Sequence, residues 1–159
     1  MGESVENQLN IVTGLVRATF LVDAVYSESA REHGLTQQQG QLLCVLMPQP
    51  YGMRELGTML GLAKSSLTGL VDRTVRNGLV RREPDPRDTR AVRVALTPQG
   101  RTLADRFYPE TCRRIETLTT GLNNTECDTL ARLLGRVVAA NDVPPVFANL
   151  DEPETPTGT

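Results

Sequence analysis

Apolar residues recur along this chain with two periods, and the change between them marks out its parts. Val5, Leu9, Val12, Val16, Phe20 and Val25 return at the spacing of one helix face, and Leu15, Val22 and Tyr26 widen the stripe. The pattern predicts a long helix from Val5 to about His33, frayed before Val5 and ended by Gly34. Thr36 opens a second helix, and Gln39 completes a T-x-x-Q capping box. Leu42, Leu43, Val45 and Leu46 form its buried side, and Pro48 stops it. Pro50-Tyr51-Gly52 reads as a turn.

A third, short helix has Leu56, Met59 and Leu60 on one face and ends at Gly61, where a tight turn through Leu62 and Ala63 follows. Ser65 is the predicted N-cap of a fourth helix. Leu67, Leu70, Val71 and Val75 face its core side, and Asn77 with Gly78 supplies a left-handed stop. The period then falls to two: Val92, Val94 and Leu96 alternate with Arg93 and Ala95. Val80–Glu83 and Ala91–Leu96 are therefore predicted strands, joined by a loop that Pro84 and Pro86 stiffen and whose turns suit Asp85 and Asp88. Thr97-Pro98 starts a long helix through Leu103, Phe107, Ile115, Leu118 and Leu122, with a kink expected at Pro109. Asn123 and Glu126 cap a last helix, whose apolar side is Leu130, Leu133, Leu134, Val137 and Val138. From Asp142 to Thr159 the chain is rich in Pro, Glu and Thr and is expected to be disordered.

The fold class is thus mainly α with a small β-hairpin: a helix-turn-helix with a wing, between terminal helices. Residues 36–97 form the winged lobe. Residues 1–35 and 98–141 carry apolar stripes too wide for one small lobe to cover, so they are expected to form a homodimer interface.

The fourth helix has a second, polar face made of Ser65, Ser66, Thr68, Gly69, Arg73 and Arg76. Small hydroxyl residues allow close approach to base edges, and arginine reaches guanine or phosphate. A solvated amphipathic helix would look similar, and the wing that follows is what favours double-stranded DNA as partner. Charge agrees. The 159 residues carry a formal net charge of −2, but Arg54–Arg106 holds +5 and the remainder −7. A basic centre between acidic flanks suits a segment that meets DNA.

Other chemistry is poorly supplied. Cys44, Cys112 and Cys127 form no C-x-x-C pair and are expected to be buried, inert thiols rather than a redox switch. His33 is the only histidine, so neither a metal site nor a cofactor is expected. Nucleophile–base spacings and Gly-rich phosphate loops are missing, which argues against an enzyme. No apolar run approaches the ~20 residues of a membrane helix, and the N-terminus lacks a signal pattern, so a cytoplasmic protein is expected.

Three stretches, GLTQQQGQLL (Gly34–Leu43), ELGTMLGLAKSSLTGLVDRTVRNGLVRR (Glu55–Arg82) and DPRDTRAVRVALTPQG (Asp85–Gly100), resemble the MarR family of bacterial winged helix-turn-helix regulators. The D-x-R-D-x-R wing followed by L-T-x-x-G is the most specific of them. The resemblance covers about Val5 to Ala140. It implies a homodimeric transcriptional regulator, a repressor on a pseudo-palindromic operator, released by a small phenolic or anionic ligand. Position by position, it implies that Ser65, Ser66, Thr68, Gly69 and Arg73 face the major groove. Lys64, Arg76 and Arg54 would meet phosphate, and Arg90, with Arg87 as second candidate, would enter the minor groove, oriented by Asp88. Asp72 is expected to be a structural partner of Arg76 or Arg93. An effector pocket is expected between the first two helices and the start of the Pro98 helix, near Phe20, His33, Gln38, Gln41, Cys44 and Tyr51. Peroxide-sensing members have a cysteine near the start of the first helix, and zinc-sensing members have several ligands, so both subclasses are disfavoured. The alternative is a winged-helix module that binds protein and not DNA.

Overall fold

A computed structural model describes residues 9–143. Val5 and the tail beyond Val143 lie outside the described residues. The elements run α1 (Ile11–Glu32), α2 (Gln37–Leu46), β1 (Tyr51–Gly52), α3 (Met53–Leu60), α4 (Lys64–Arg76), β2 (Val80–Asp85), β3 (Asp88–Leu96), α5 (Pro98–Glu116), a 3-10 turn (Thr117–Thr119) and α6 (Asn124–Ala139).

The start and stop signals act where local chemistry places them. Thr36 and Gln39 close a full capping box on α2, and Asn123 and Glu126 close one on α6. The Thr97 hydroxyl accepts the Gly100 N–H at the head of α5. Gly34, Gly61 and Gly78 take positive φ after α1, α3 and α4, as the left-handed stops require.

Several boundaries differ from expectation. α1 begins at Ile11, because the Asn10 side chain accepts the Thr13 N–H and caps it there. α4 begins at Lys64, with Ala63 as N-cap and no side-chain cap, so Ser65 lies in the first turn and not before it. Asn77 is right-handed at φ −77°, leaving the left-handed position to Gly78 alone. The wing strands are longer than predicted. Pro84 is paired with Val92, and only Pro86 and Arg87 join the strands. Tyr51 and Gly52 are not a turn but a third strand, paired with Val94 and Arg93 in the order β1-β3-β2. A two-residue strand is too short to show a period. α5 passes through Pro109 as one helix and ends at Glu116, so Leu118 lies in the 3-10 turn and Leu122 beyond it.

One core joins the whole lobe. Leu42, Leu43, Leu46, Leu56, Leu67, Leu70, Val71, Val80, Val94 and Phe107 are all buried in it. Phe107 of α5 is its keystone. Tyr26 and His33 meet its ring edge-on at centroid distances of 5.8 and 5.5 Å. A β-carbon on Gly40 would lie 2.6 Å from its tip, so α2 presses bare backbone against the ring. The first half of α5 therefore belongs to the core of the lobe as well as to the terminal helices. Ser29 and Thr111, both fully buried, share a hydrogen bond of 2.7 Å that ties α1 to α5. Glu32 of α1 also pairs with Arg114 of α5. That guanidinium, first through its hydrogen bond, holds the Glu32 carboxyl below the usual carboxylate range.

The rest of α1 and all of α6 are different. Within α1 only Tyr26, Ser29 and Ala30 are buried, and α6 has no buried residue. Ile11, Val12, Val16, Phe20, Leu133 and Leu134 stand in solvent.

Candidate nucleic-acid interface

The helix-turn-helix is set by a close backbone approach. The Leu62 N–H donates to the Gly57 carbonyl, and a β-carbon on Gly57 would lie 3.3 Å from the Leu62 oxygen. Leu67, Leu70, Val71 and Thr74 then turn one side of α4 into the core. Thr74 is a polar residue that periodicity missed. Its buried hydroxyl donates to the Leu70 carbonyl within the helix, so no polar group is stranded.

The outer face holds the predicted readers. Lys64, Ser65, Ser66, Arg73 and Arg76 are exposed, and Thr68 and Gly69 are half-buried. The Thr68 hydroxyl donates to the Lys64 carbonyl at 2.8 Å, which leaves it free only to accept. A β-carbon on Gly69 would lie 3.4 Å from Nη1 of Arg73, so this guanidinium reaches back over the space the glycine leaves open. Arg54, exposed on α3, borders with Lys64 and Thr68 a groove of about 730 Å³.

The arginines of the wing fall into two groups. Three are held internally. Arg93 pairs with Glu83 at 2.7 Å, and Arg81 pairs with the same carboxylate at 3.1 Å while donating to the Leu96 carbonyl. Arg93, then Arg81, keeps the Glu83 carboxyl below its ordinary range. Arg82 pairs with Asp72 of α4 at 2.6 Å. This corrects the sequence expectation for Asp72. Arg76 reaches only its backbone carbonyl, at 3.4 Å, and Arg93 is taken by Glu83. The other two, Arg87 and Arg90, stand at the exposed tip. Arg87 lies 3.6 Å from Asp85, and Arg90 makes no ion pair among the described residues.

The D-x-R-D-x-R motif has a local cause. Asp85 accepts the Arg87 N–H at 2.9 Å, and Asp88 accepts the Arg90 N–H at 3.0 Å. Each aspartate closes a turn on the backbone of the arginine two residues on. Asp88 thus fixes Arg90 through its main chain and leaves the guanidinium uncommitted. The Arg87 N–H is also the main reason the Asp85 carboxyl lies below its ordinary range.

The expected effector residues are not brought together. Phe20 is 72% exposed, a surface residue of α1 and not part of an enclosed pocket, because the helices that bury α1 meet only its C-terminal end. Cys44 is core; burial pushes its thiol up to about 12. Gln38 is exposed, Gln41 and Tyr51 are half-buried, and Tyr51 is held in β1 against the core. His33 lines a cavity of about 580 Å³ with Glu32, Leu103, Arg106, Glu110 and Arg114. Its Nδ1 lies 2.8 Å from the Ser29 carbonyl, which can only accept, so Nδ1 carries the proton. Among the described residues no group of His, Cys, Asp or Glu is placed to hold a metal, and no helix is long and apolar enough to cross a membrane.

Comparison with known proteins identifies the family and the fold. A model of the MarR family matches residues 33–91. The HTH-type transcriptional regulator YkoM of Bacillus subtilis is 32% identical over 133 residues, 83% of this chain and 86% of that one. The crystal structure of a mutant Escherichia coli MarR complexed with operator DNA superposes with a TM-score of 0.70 at 25% identity, covering 86% of this chain and 99% of that one. BpsR of Bordetella bronchiseptica, whose DNA binding is regulated by 6-hydroxynicotinic acid, superposes with a TM-score of 0.69 at 25% identity, covering 86% and 97%.

Proposed function

The chain belongs to the MarR family of transcriptional regulators, and on that premise we propose that it is a repressor, binding a pseudo-palindromic operator as a homodimer and released by a small phenolic or anionic effector. The observation that carries this is the division among its cations. Arg73 on α4 and Arg90 on the wing tip make no ion pair among the described residues, whereas Arg81, Arg82 and Arg93 of the wing are held by internal carboxylates. Unpaired arginines on two adjacent projections suit a polyanion.

In this reading Ser65, Ser66, Thr68, Gly69 and Arg73 meet base edges in the major groove, with Thr68 accepting from a base donor. Lys64, Arg76 and Arg54 neutralise phosphates and set the register. Arg90, with Arg87 beside it, enters the flanking minor groove, where a narrow groove concentrates negative potential. Residues 36–97 form the reading lobe. The exposed stripes of α1 and α6 pair with a second copy and place two recognition helices about 10 bp apart. The operator complex of the similar Escherichia coli protein supports the DNA partner. The regulation of BpsR by a hydroxylated aromatic acid supports the class of effector. The cavity beside His33 offers such an acid Arg106, which makes no ion pair among the described residues.

The test is binding to duplexes selected from a random library, at several salt concentrations. Affinity should fall steeply with salt, and bound sites should be two-fold symmetric. Duplex binding that is absent or indifferent to salt would overturn the reading. A thermal-shift series of phenolic acids, followed by release from the selected duplex, tests the effector.

A further inference from the structure

Asp72 sits on the wrong side of its helix for an acid. It follows Ser65 and Thr68 at helical spacing and stands next to Arg73, with its side chain half exposed. A free carboxylate there would face phosphate and oppose binding. In the structure it is not free. Arg82, ten residues on and in β2, donates to its Oδ1 at 2.6 Å. The Arg82 guanidinium meets α4 at Asp72. It borders the groove lined by Lys64, Leu67 and Thr68 on one side, and the groove lined by Asp72, Val75 and Arg76 on the other. This ion pair is the direct polar link between the recognition helix and the wing strands among the described side chains.

We propose that Asp72 is a positioning residue for DNA reading: through Arg82 it fixes the angle between the α4 face and the wing, so that both meet the duplex together. The inference rests on the DNA-binding reading and goes beyond it, because it assigns a gain in DNA affinity to a negatively charged residue. Electrostatics alone gives the opposite sign. Removing a carboxylate from a surface that meets phosphate raises affinity if the residue does nothing else.

Asp72→Asn separates the two. The full-length variant is titrated with the duplex that the wild-type protein selects, at three salt concentrations. Positioning predicts binding weaker by about fivefold or more, the size of a modest coupling between neighbouring groups, with an unchanged salt slope because no phosphate contact is lost. The melting temperature should stay close to wild type, since exposed ion pairs add little stability. Asp72→Glu, which keeps a carboxylate within reach of Arg82, should recover most of the loss. Asp72→Asn that binds as tightly as wild type or tighter overturns the inference, as does Asp72→Glu that is no better than Asp72→Asn. A wild-type protein with no salt-dependent duplex binding would instead overturn the reading beneath it.

Discussion

Gly100 and Leu79 meet backbone to backbone where the wing joins the helix that follows it. A β-carbon on Gly100 would lie 1.8 Å from the Leu79 carbonyl oxygen. That oxygen accepts the Thr97 N–H at 3.1 Å, and the Thr97 hydroxyl donates to the Gly78 carbonyl at 2.6 Å. The L-T-x-x-G sequence is therefore a joint. Threonine caps α5 and grips the end of α4, and glycine lets the base of β2 lie on the first turn of α5.

Gly100→Ala forces backbone apart, which no side-chain rotation can relieve. The expected loss is roughly 3 kcal/mol, the upper end of the usual range for overpacking. Urea denaturation measures it, and a variant within experimental error of wild type would mean that the joint yields.

Arg90→Ala should weaken DNA binding by about 1–3 kcal/mol, more on sites with A·T-rich flanks, because groove width is what it reads. Arg73→Ala should lose a similar amount and relax preference inside the half-site. Neither side chain is in the core, so both variants should melt as wild type does. Titration of both against a panel of sites tests this. An Arg90→Ala variant with wild-type affinity for every site would remove the wing from the interface.

Leu130, Leu133, Leu134, Val137 and Val138 line α6 in solvent, and Phe20 and Leu21 do so on α1. A second copy is the expected cover. Light scattering should give the mass of a dimer at micromolar concentration. Leu134→Glu combined with Val137→Glu should give monomers whose lobe still unfolds cooperatively. A monomeric wild-type protein would refute the dimer.

Cys44 should resist thiol reagents at pH 8 in the folded protein and react once the chain is unfolded, because burial holds its thiol proton up to about 12. The sign for stability follows. Above the ordinary thiol range the unfolded chain gives up this proton while the folded chain keeps it, so Cys44 lowers stability as pH rises from about 9 toward 12. Mass spectrometry of alkylated peptides from native and denatured protein is the check, and rapid native labelling of Cys44 would contradict it.

What the sequence determined by itself is whatever closes within a few residues. The Thr36–Gln39 and Asn123–Glu126 boxes, the Thr97 cap and the left-handed Gly34, Gly61 and Gly78 all depend on neighbours three or four positions away. The helix-turn-helix, the wing and the apolar face of α4 follow from the same short-range patterns. Tertiary structure decided what depends on groups brought together from afar. Ser29 finds Thr111 across 82 positions, and Asp72 finds Arg82 rather than Arg76 or Arg93. Tyr51 and Gly52 become a strand only because β3 presents them an edge. Within one chain Phe20 is left uncovered because the helices that bury Tyr26 reach only one end of α1. A residue's type announces that it needs a partner or a cover. Which group supplies it is fixed when the elements pack, because one carboxylate can satisfy any arginine in reach and packing alone determines reach.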